Sequence, residues 1–487
     1  MKKISQILLI LIGISLFGAG CLEFNLSSDA DLRGTSSVQT IPPGTLTAIS
    51  ESDQDQPTTT PAPEGINLAD AENQSIIFWY VWSPEEKDPG MEAIVDRFNK
   101  ENPWGIQVTA VNQGRGHDPM GVVEAALEAG ERPDLMLVDD IVLDDWYRRG
   151  WIVDLNHYLE DPGAGLSDAE KEDFFQDLKQ LTLPGIEVRP GIPVSQTLIT
   201  LFYNQSWGEE LGFSGAPDTA EDLARQSCTA AETYNAQINS AEPGQGGMLI
   251  YPAPENMVGW LAAYQGEFYR DQESGYQFID QELEEALRDW WLLLRRECAY
   301  LVEKYPDPHV DDYVFEKFNK RQALVVINSS LNLEQIHINR PGVFPSDNWQ
   351  MVPFPAPDGT QRVTILQQSG VILASSPEKQ LASWIFIKEL LSPRTQVDWS
   401  RSSGAYPSRK AAVELLQNEL RNQSYWNQGL AYLELGALPP AAASWEIVRL
   451  AVGDGLSAAL NSPPGMLVKE LELLENTAAE LHQKFSP

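Results

Sequence analysis

The chain reads as an α/β protein with a mainly parallel sheet, and three observations predict it. Ile76-Ile77-Phe78-Trp79-Tyr80-Val81-Trp82 is a nearly continuous apolar run, as a strand covered on both faces requires. Asp134 to Val138 is a second, shorter run of the same kind. Between them helical and strand-like patterns alternate, and strand, helix, strand, helix, strand belongs to sheets whose parallel strands are joined by helices.

Each element has a local reason. Asp88-Pro89 supplies an N-cap and a first-turn proline, and Met91, Ile94, Val95 and Phe98 share one face of the helix that follows. Ile106, Val108 and Ala110 alternate as a strand. A helix from Pro119 to Ala129 stops at Gly130. Further on, Leu283, Leu287, Trp290 or Trp291, and Leu294 recur at helical spacing before Cys298, and these aromatics read as core. Ala323 to Asn328 and Val371 to Ala374 are strands. Glu378 to Leu391 is an amphipathic helix carrying Leu381, Trp384, Ile385 and Ile387. The last hundred or so residues are mostly helical, and there is no internal repeat.

The N-terminus is an export signal. Lys2 and Lys3 precede an apolar run from Ile7 to Phe17, and Gly18-Ala19-Gly20 leads directly to Cys21. That run is too short to span a bilayer, which takes roughly 20 apolar residues. A cysteine behind small residues resembles the lipobox of bacterial lipoproteins, although Gly18 stands where Leu is usual. The resemblance implies a signal peptide over residues 1–20 and diacylation of Cys21, with the rest of the chain held outside the membrane by its lipid. Residues 21–73 are rich in Ser, Thr, Pro, Gly and Asp, with no sustained apolar period, and read as a disordered tether.

Charge and cysteines narrow the function. The net charge of the 487 residues is -36, and loss of Lys2 and Lys3 with the leader makes it -38. Such a surface excludes nucleic acid and anionic membrane as partners, and leaves the lipid as the only membrane contact. Apart from Cys21 the cysteines are Cys228 and Cys298, an even pair in an oxidising compartment. A bridge would close a loop of about 70 residues and stabilise by roughly 4 kcal/mol on the chain-entropy model; two free thiols are the alternative. The five histidines, His117, His157, His309, His337 and His482, have no metal-ligand spacing, and no metal or cofactor is expected. GxSxG, HExxH and Walker motifs are absent from the sequence.

An ordered series of blocks is similar to the family 1 extracellular solute-binding proteins, the maltose-binding-protein-like receptors of ABC importers. The blocks are IIFWYVWSP, MEAIVDRFNKENPWGIQV, EAALEAGERPDLMLVDD, RPGIPVSQTLITLFYNQSWGEELGF, APDTAEDL, RQALVVINSS and QSGVILASSPEKQLASWIFIKELLSP. The resemblance implies a two-lobed α/β fold with crossover strands, a hinge and a ligand cleft between the lobes. Crossings are expected at Ile192 to Thr200 and Gln367 to Ile372. The first lobe would comprise residues 74–190 with 325–365, and the second, helix-rich lobe residues 191–324 with 366–487. A monomeric receptor that passes a carbohydrate to ABC permease subunits is the function implied.

The expected ligand residues fall where the blocks meet the cleft. Trp82 ends the first strand, and Asp139 and Asp140 end the strand after the Pro-Asp turn, the strand end where ligands of open α/β sheets sit. Tyr251, Asn256 and Trp260 fall in YPAPENMVGW, Ser329 and Ser330 end another strand, Ser369 and Gly370 sit at the second crossing, and Trp445 aligns with a late helix of the family. Aromatic rings cover the apolar face of a sugar while carboxylates and amides bind its hydroxyls. Leu331 and Leu333 stand where maltose binders carry Trp, which counts against a maltodextrin. A glycerol-phosphate-type polyol is the competing ligand, opposed by the lack of an Arg/Lys cluster. The competing functions are a surface sensor or adhesin and a secreted glycoside hydrolase. The hydrolase needs two carboxyls about 5–9.5 Å apart, whereas adjacent residues on a strand point to opposite faces.

Overall fold

The computed structural model describes residues 65–82, 88–114, 119–178, 181–183, 185–238, 243–265, 268–271, 273–279, 281–302, 310–332, 347–355, 360–417, 424–463 and 465–486. The leader, Cys21 and most of the expected tether lie outside these residues. In chain order the strands are β1 (Ser75–Tyr80), β2 (Gln107–Asn112), β3 (Leu135–Asp139), β4 (Ile192–Asn204), β5 (Gly246–Ile250), β6 (Tyr269–Asp271), β7 (Gly275–Tyr276), β8 (Ala299–Leu301), β9 (Ala323–Ser329), β10 (Trp349–Val352), β11 (Phe354–Pro355) and β12 (Gln361–Ile372), followed by two short ones.

The main sheet runs β2-β1-β3-β12-β4-β9-β5-β8. β1 is parallel to β2 and β3, and β5 is parallel to β9 and β8. These two parallel blocks are the two lobes. They are joined by β4 and β12, which are antiparallel to each other and pair outward with β9 and β3. Both expected crossings lie in these long strands. The β4–β12 register shifts between Gln368 and Ser369, opposite Ser195 and Pro193, which leaves Val194 as an extra residue. Such a bulge tolerates Pro193, which has no N–H to offer a ladder, and it re-aims side chains where the lobes meet.

Alternation along the strands builds a core on each face. In the first lobe Ile76, Phe78, Tyr80, Leu135 and Leu137 face one cluster, and Trp79, Val81, Met136 and Val138 face the other. The expected N-terminal helix forms at Pro89–Glu101, with Asp88 accepting the Gly90 and Met91 N–H groups. In the second lobe Met248, Ile250, Val325 and Ile327 pack with Leu283, Leu287 and Trp290, as the helical spacing predicts. Cys228 and Cys298 are bridged, with Cα atoms 4.3 Å apart, tying the helix Ala220–Gln237 to the residue before β8.

Two domain expectations need correction. The segment that returns to the first lobe is not 325–365. β9 pairs with β4 and β5 of the second lobe, whereas Leu381, Trp384, Phe386 and Trp399 pack under β1 and β3. The return therefore begins at the end of β12 and uses the helices Pro377–Leu390 and Pro393–Ser403. The sequence predicts an amphipathic helix for the first of these, but Leu381 to Ile387 are buried without a break, so it is covered on all sides, and the sequence pattern does not show which core receives it. The first lobe also starts before residue 74: Leu68–Ala71 form a 3₁₀ turn capped by Asn67, Ala71 is fully buried, and the Ile66 N–H donates to Asp161. One turn is too short to display a period.

Candidate functional site

The strand ends of both lobes converge on one cavity of about 470 Å³. Trp82 follows β1, Asp139 closes β3 and Asp140 follows it. Tyr251 follows β5 and Ser329 closes β9, while Leu366 to Ser369 of β12 form the floor between the lobes. Carboxyl ends of parallel strands are where this class of sheet leaves room for a ligand, because the connecting loops diverge there.

Eight of the eleven expected ligand residues line the cavity: Trp82, Asp139, Asp140, Tyr251, Asn256, Ser329, Ser369 and Trp445. Three do not. Trp260 is fully buried in the second-lobe core, its ring 4.1 Å from that of Trp290, because the apolar face of its helix turns inward. Ser330 is buried and its Oγ accepts the Leu198 N–H at 2.9 Å. Gly370 points at Ile387, where an added Cβ would meet side-chain carbons at 3.3 Å. A run of adjacent strand residues cannot all reach one face, so Ser369 and Gly370 divide between cavity and core.

The polar groups of the wall fall into two kinds. Asn256 donates to the carbonyl of Tyr251 at 3.1 Å, and Arg449 Nη1 donates to Glu255 at 2.7 Å, so these second-lobe groups are held largely by their own neighbours, with Arg449 Nε alone among them buried without a partner. At the crossing, both polar atoms of the Gln367 amide are buried without a hydrogen-bond partner, as are Ser369 Oγ and Asp140 Oδ1. Burial pushes the Asp140 carboxyl up to about 7; the Ser369 hydroxyl draws it partly down from nearby, without ordinary hydrogen-bond geometry, and Asp139 raises it further. Unsatisfied buried polar groups are costly, at about 1–3 kcal/mol each, so a group of them in one cavity marks a place built for a partner.

The aromatics are fixed from behind. Trp82 is partly buried with its ring edge-to-face on Trp399 at 4.9 Å. Trp445 is 1% exposed and packed on Phe268 and Tyr276, so little of it is left open to the cavity that it lines. Ser444, just before it, bonds the Tyr276 hydroxyl at 3.1 Å and His482 Nδ1 at 2.7 Å, which locks the start of the helix Trp445–Asn461. The lobes touch here too: Asp144 Oδ2 accepts the Ala443 N–H at 2.7 Å while Oδ1 accepts from Arg148.

Sequence reasoning missed Gln367, Glu255, Arg449, Asp144 and the loop Leu438 to Ala441. Two had a signal: Arg449 lies one helical turn after Trp445, and Asp144 one turn after Asp140. For Gln367 the sequence indicates only a place in a crossing strand. Among the described residues no His, Cys, Asp and Glu cluster suits a metal ion, and no helix is long and apolar enough to cross a membrane.

A family model described as bacterial extracellular solute-binding protein matches residues 93–426. No curated protein sequence matches the chain. Among solved structures, the sugar-binding protein MalE of Xanthomonas citri is similar at 19% identity, covering 84% of this chain and 98% of that one, with a TM-score of 0.69. The cyclic α-maltosyl-1,6-maltose-binding protein of Arthrobacter globiformis is similar at 18%, over 84% and 99%, with a TM-score of 0.68. UgpB of Mycobacterium tuberculosis, solved with glycerophosphocholine, is similar at 15%, over 84% and 98%, with a TM-score of 0.67. At these identities the likeness is one of fold.

Proposed function

This chain belongs to the bacterial extracellular solute-binding proteins, and we propose that it is the receptor of an ABC importer that binds a sugar or oligosaccharide between its lobes. The observation that carries the reading is the unpartnered polar group formed by Gln367, Ser369 and Asp140 at the crossing, under a wall that includes Trp82 and Tyr251. Amide, hydroxyl and carboxyl together donate to and accept from ligand hydroxyls, while rings and aliphatic side chains cover C–H faces. Because each lobe supplies part of the wall, a ligand that touches both favours the closed arrangement by its differential affinity. The Asp144–Ala443 contact is made in that same approach. The closed form is what a permease would dock.

The family places the protein outside the cytoplasm. In the fuller reading it is a monomer held to the membrane by lipid on Cys21, and Cys21→Ser is expected to move it from the membrane fraction to the medium. The glycerophosphocholine-bound neighbour keeps phosphodiesters among the ligands to test. Arg449, the one basic residue among the described lining, is neutralised by Glu255, which disfavours them.

The test is thermal unfolding of the purified protein with neutral sugars, oligosaccharides, amino sugars and glycerol phosphodiesters. A ligand at about 1,000 times its dissociation constant adds about 4.1 kcal/mol, a rise of several degrees in Tm. A shift with one sugar class supports the receptor and names its solute. A shift with phosphodiesters alone replaces the sugar, and a flat response across the panel counts against a sugar receptor.

A further inference from the structure

The charge around the cavity is unbalanced. Among the described lining residues Asp139, Asp140, Asp144 and Glu255 are acidic and Arg449 alone is basic. Asp144 and Glu255 have cationic partners: Arg148 lies 2.7 Å from Asp144, and Arg449 lies 2.7 Å from Glu255. Asp140 has none among the described residues. The groups that act on it are the Ser369 hydroxyl of β12 and the like charge of Asp139 at the end of β3, and its Oδ1 is buried and unpartnered. A carboxylate with one oxygen removed from water and no cation beside it is disfavoured as an anion, and it either takes a proton or acquires a positive neighbour.

A second observation points the same way. The Gln367 side chain, 3% exposed and on the same cavity wall, has both amide atoms without a partner among the described residues, so its oxygen is open to a donor. An ammonium group is all donor, with three N–H bonds to place, and it satisfies a carboxylate and an amide oxygen together while cancelling charge. Trp82 and Tyr251 line the same space, and ring faces attract cations where water is excluded.

We propose that the solute carries a protonated amine, the cavity accepting an amino sugar in preference to its neutral counterparts, with Asp140 as counter-ion and Gln367 Oε1 as the second acceptor. The proposal rests on the sugar-receptor reading and narrows it. Binding the cation holds Asp140 ionised, so a receptor that carries a proton there when empty releases it on binding. Affinity for the amine therefore strengthens from acid to neutral pH.

The test is calorimetric titration with glucosamine and chitobiose against N-acetylglucosamine, diacetylchitobiose and maltose, at about pH 5.5 and about pH 7, on the protein and on Asp140→Asn. The amines are expected to bind about tenfold or more tightly than their acetylated forms at neutral pH, and to lose most of that advantage at the acid pH. Asp140→Asn is expected to abolish the preference while its Tm stays at or above the parent value, which separates lost recognition from lost folding. Equal or tighter binding of a neutral sugar, or a preference for amines that survives Asp140→Asn, overturns the proposal and leaves the sugar receptor standing. Failure of every sugar, aminated and neutral, removes both.

Discussion

The two walls of the cavity differ in how their polar groups are satisfied. On the second-lobe side Asn256, Arg449 and Glu255 bond to one another or to backbone, and Trp445 belongs to a core that continues behind it. At the crossing and first-lobe end, Gln367, Ser369 and Asp140 keep buried atoms with no partner. Apart from the buried Arg449 Nε, the second-lobe side is a finished surface that offers shape, and the other side holds most of the hydrogen-bonding capacity that a ligand completes. Specificity should therefore reside at the crossing, and stability in the second-lobe wall.

Substitutions sharpen or break this division. Trp260→Ala, in the finished side, is expected to cost about 3–5 kcal/mol in denaturant unfolding, with ligand affinity unchanged in the molecules that remain folded. A specific loss of affinity at full stability would return Trp260 to the binding surface. Reduction of the Cys228–Cys298 bridge, or Cys228→Ser with Cys298→Ser, should lower second-lobe stability by roughly 4 kcal/mol, again read by denaturant midpoint.

Asp140→Asn should do the reverse and stabilise the empty protein. The folded pKa of Asp140 is raised from 3.8 to about 7, so the native state keeps a proton that the unfolded state has already lost. Stability therefore falls as pH rises through that interval and remains reduced above it. The variant is expected to gain about 2 kcal/mol near pH 8 and nothing near pH 4, measured as unfolding free energy against pH. A gain independent of pH would mean that Asp140 is ionised throughout.

Gln367→Met, close to isosteric, removes two unpartnered polar atoms. It should leave Tm the same or higher and weaken solute binding about tenfold, an effect that calorimetry resolves. The smallest effect belongs to Glu255→Gln, because its pair with Arg449 is partly exposed: at most about 1 kcal/mol of stability, shrinking with added salt. If that substitution cost more than Gln367→Met in affinity, the contrast between the walls would be inverted.

Much of the fold was legible because its signals are local. The apolar runs at 76–82 and 134–138, the Asp88 cap and the 281–295 helix each carry their reason within a few residues, and all form as expected. The site was legible only in part. Trp82, Asp139 and Asp140 line the cavity as expected, because strand ends are visible in sequence and strand ends face the cavity. Trp260 was misplaced because sequence shows that an aromatic is buried or recruited and does not show against what. Gln367 escaped because a polar residue in a strand looks solvated until the neighbouring strands are known.

The sequence by itself determined the strand and helix menu, the acidic surface, the order of the blocks and the even pair of cysteines, since composition and period are properties of neighbours along the chain. Tertiary structure decided which core receives the helices after β12, which of two adjacent residues at each strand end turns toward the cavity, and which buried polar atoms are left without partners. Those outcomes depend on contacts between residues far apart in the chain, such as Ser369 of β12 beside Asp140 after β3, and hydrogen-bond satisfaction is a sum over every group that arrives at the same place.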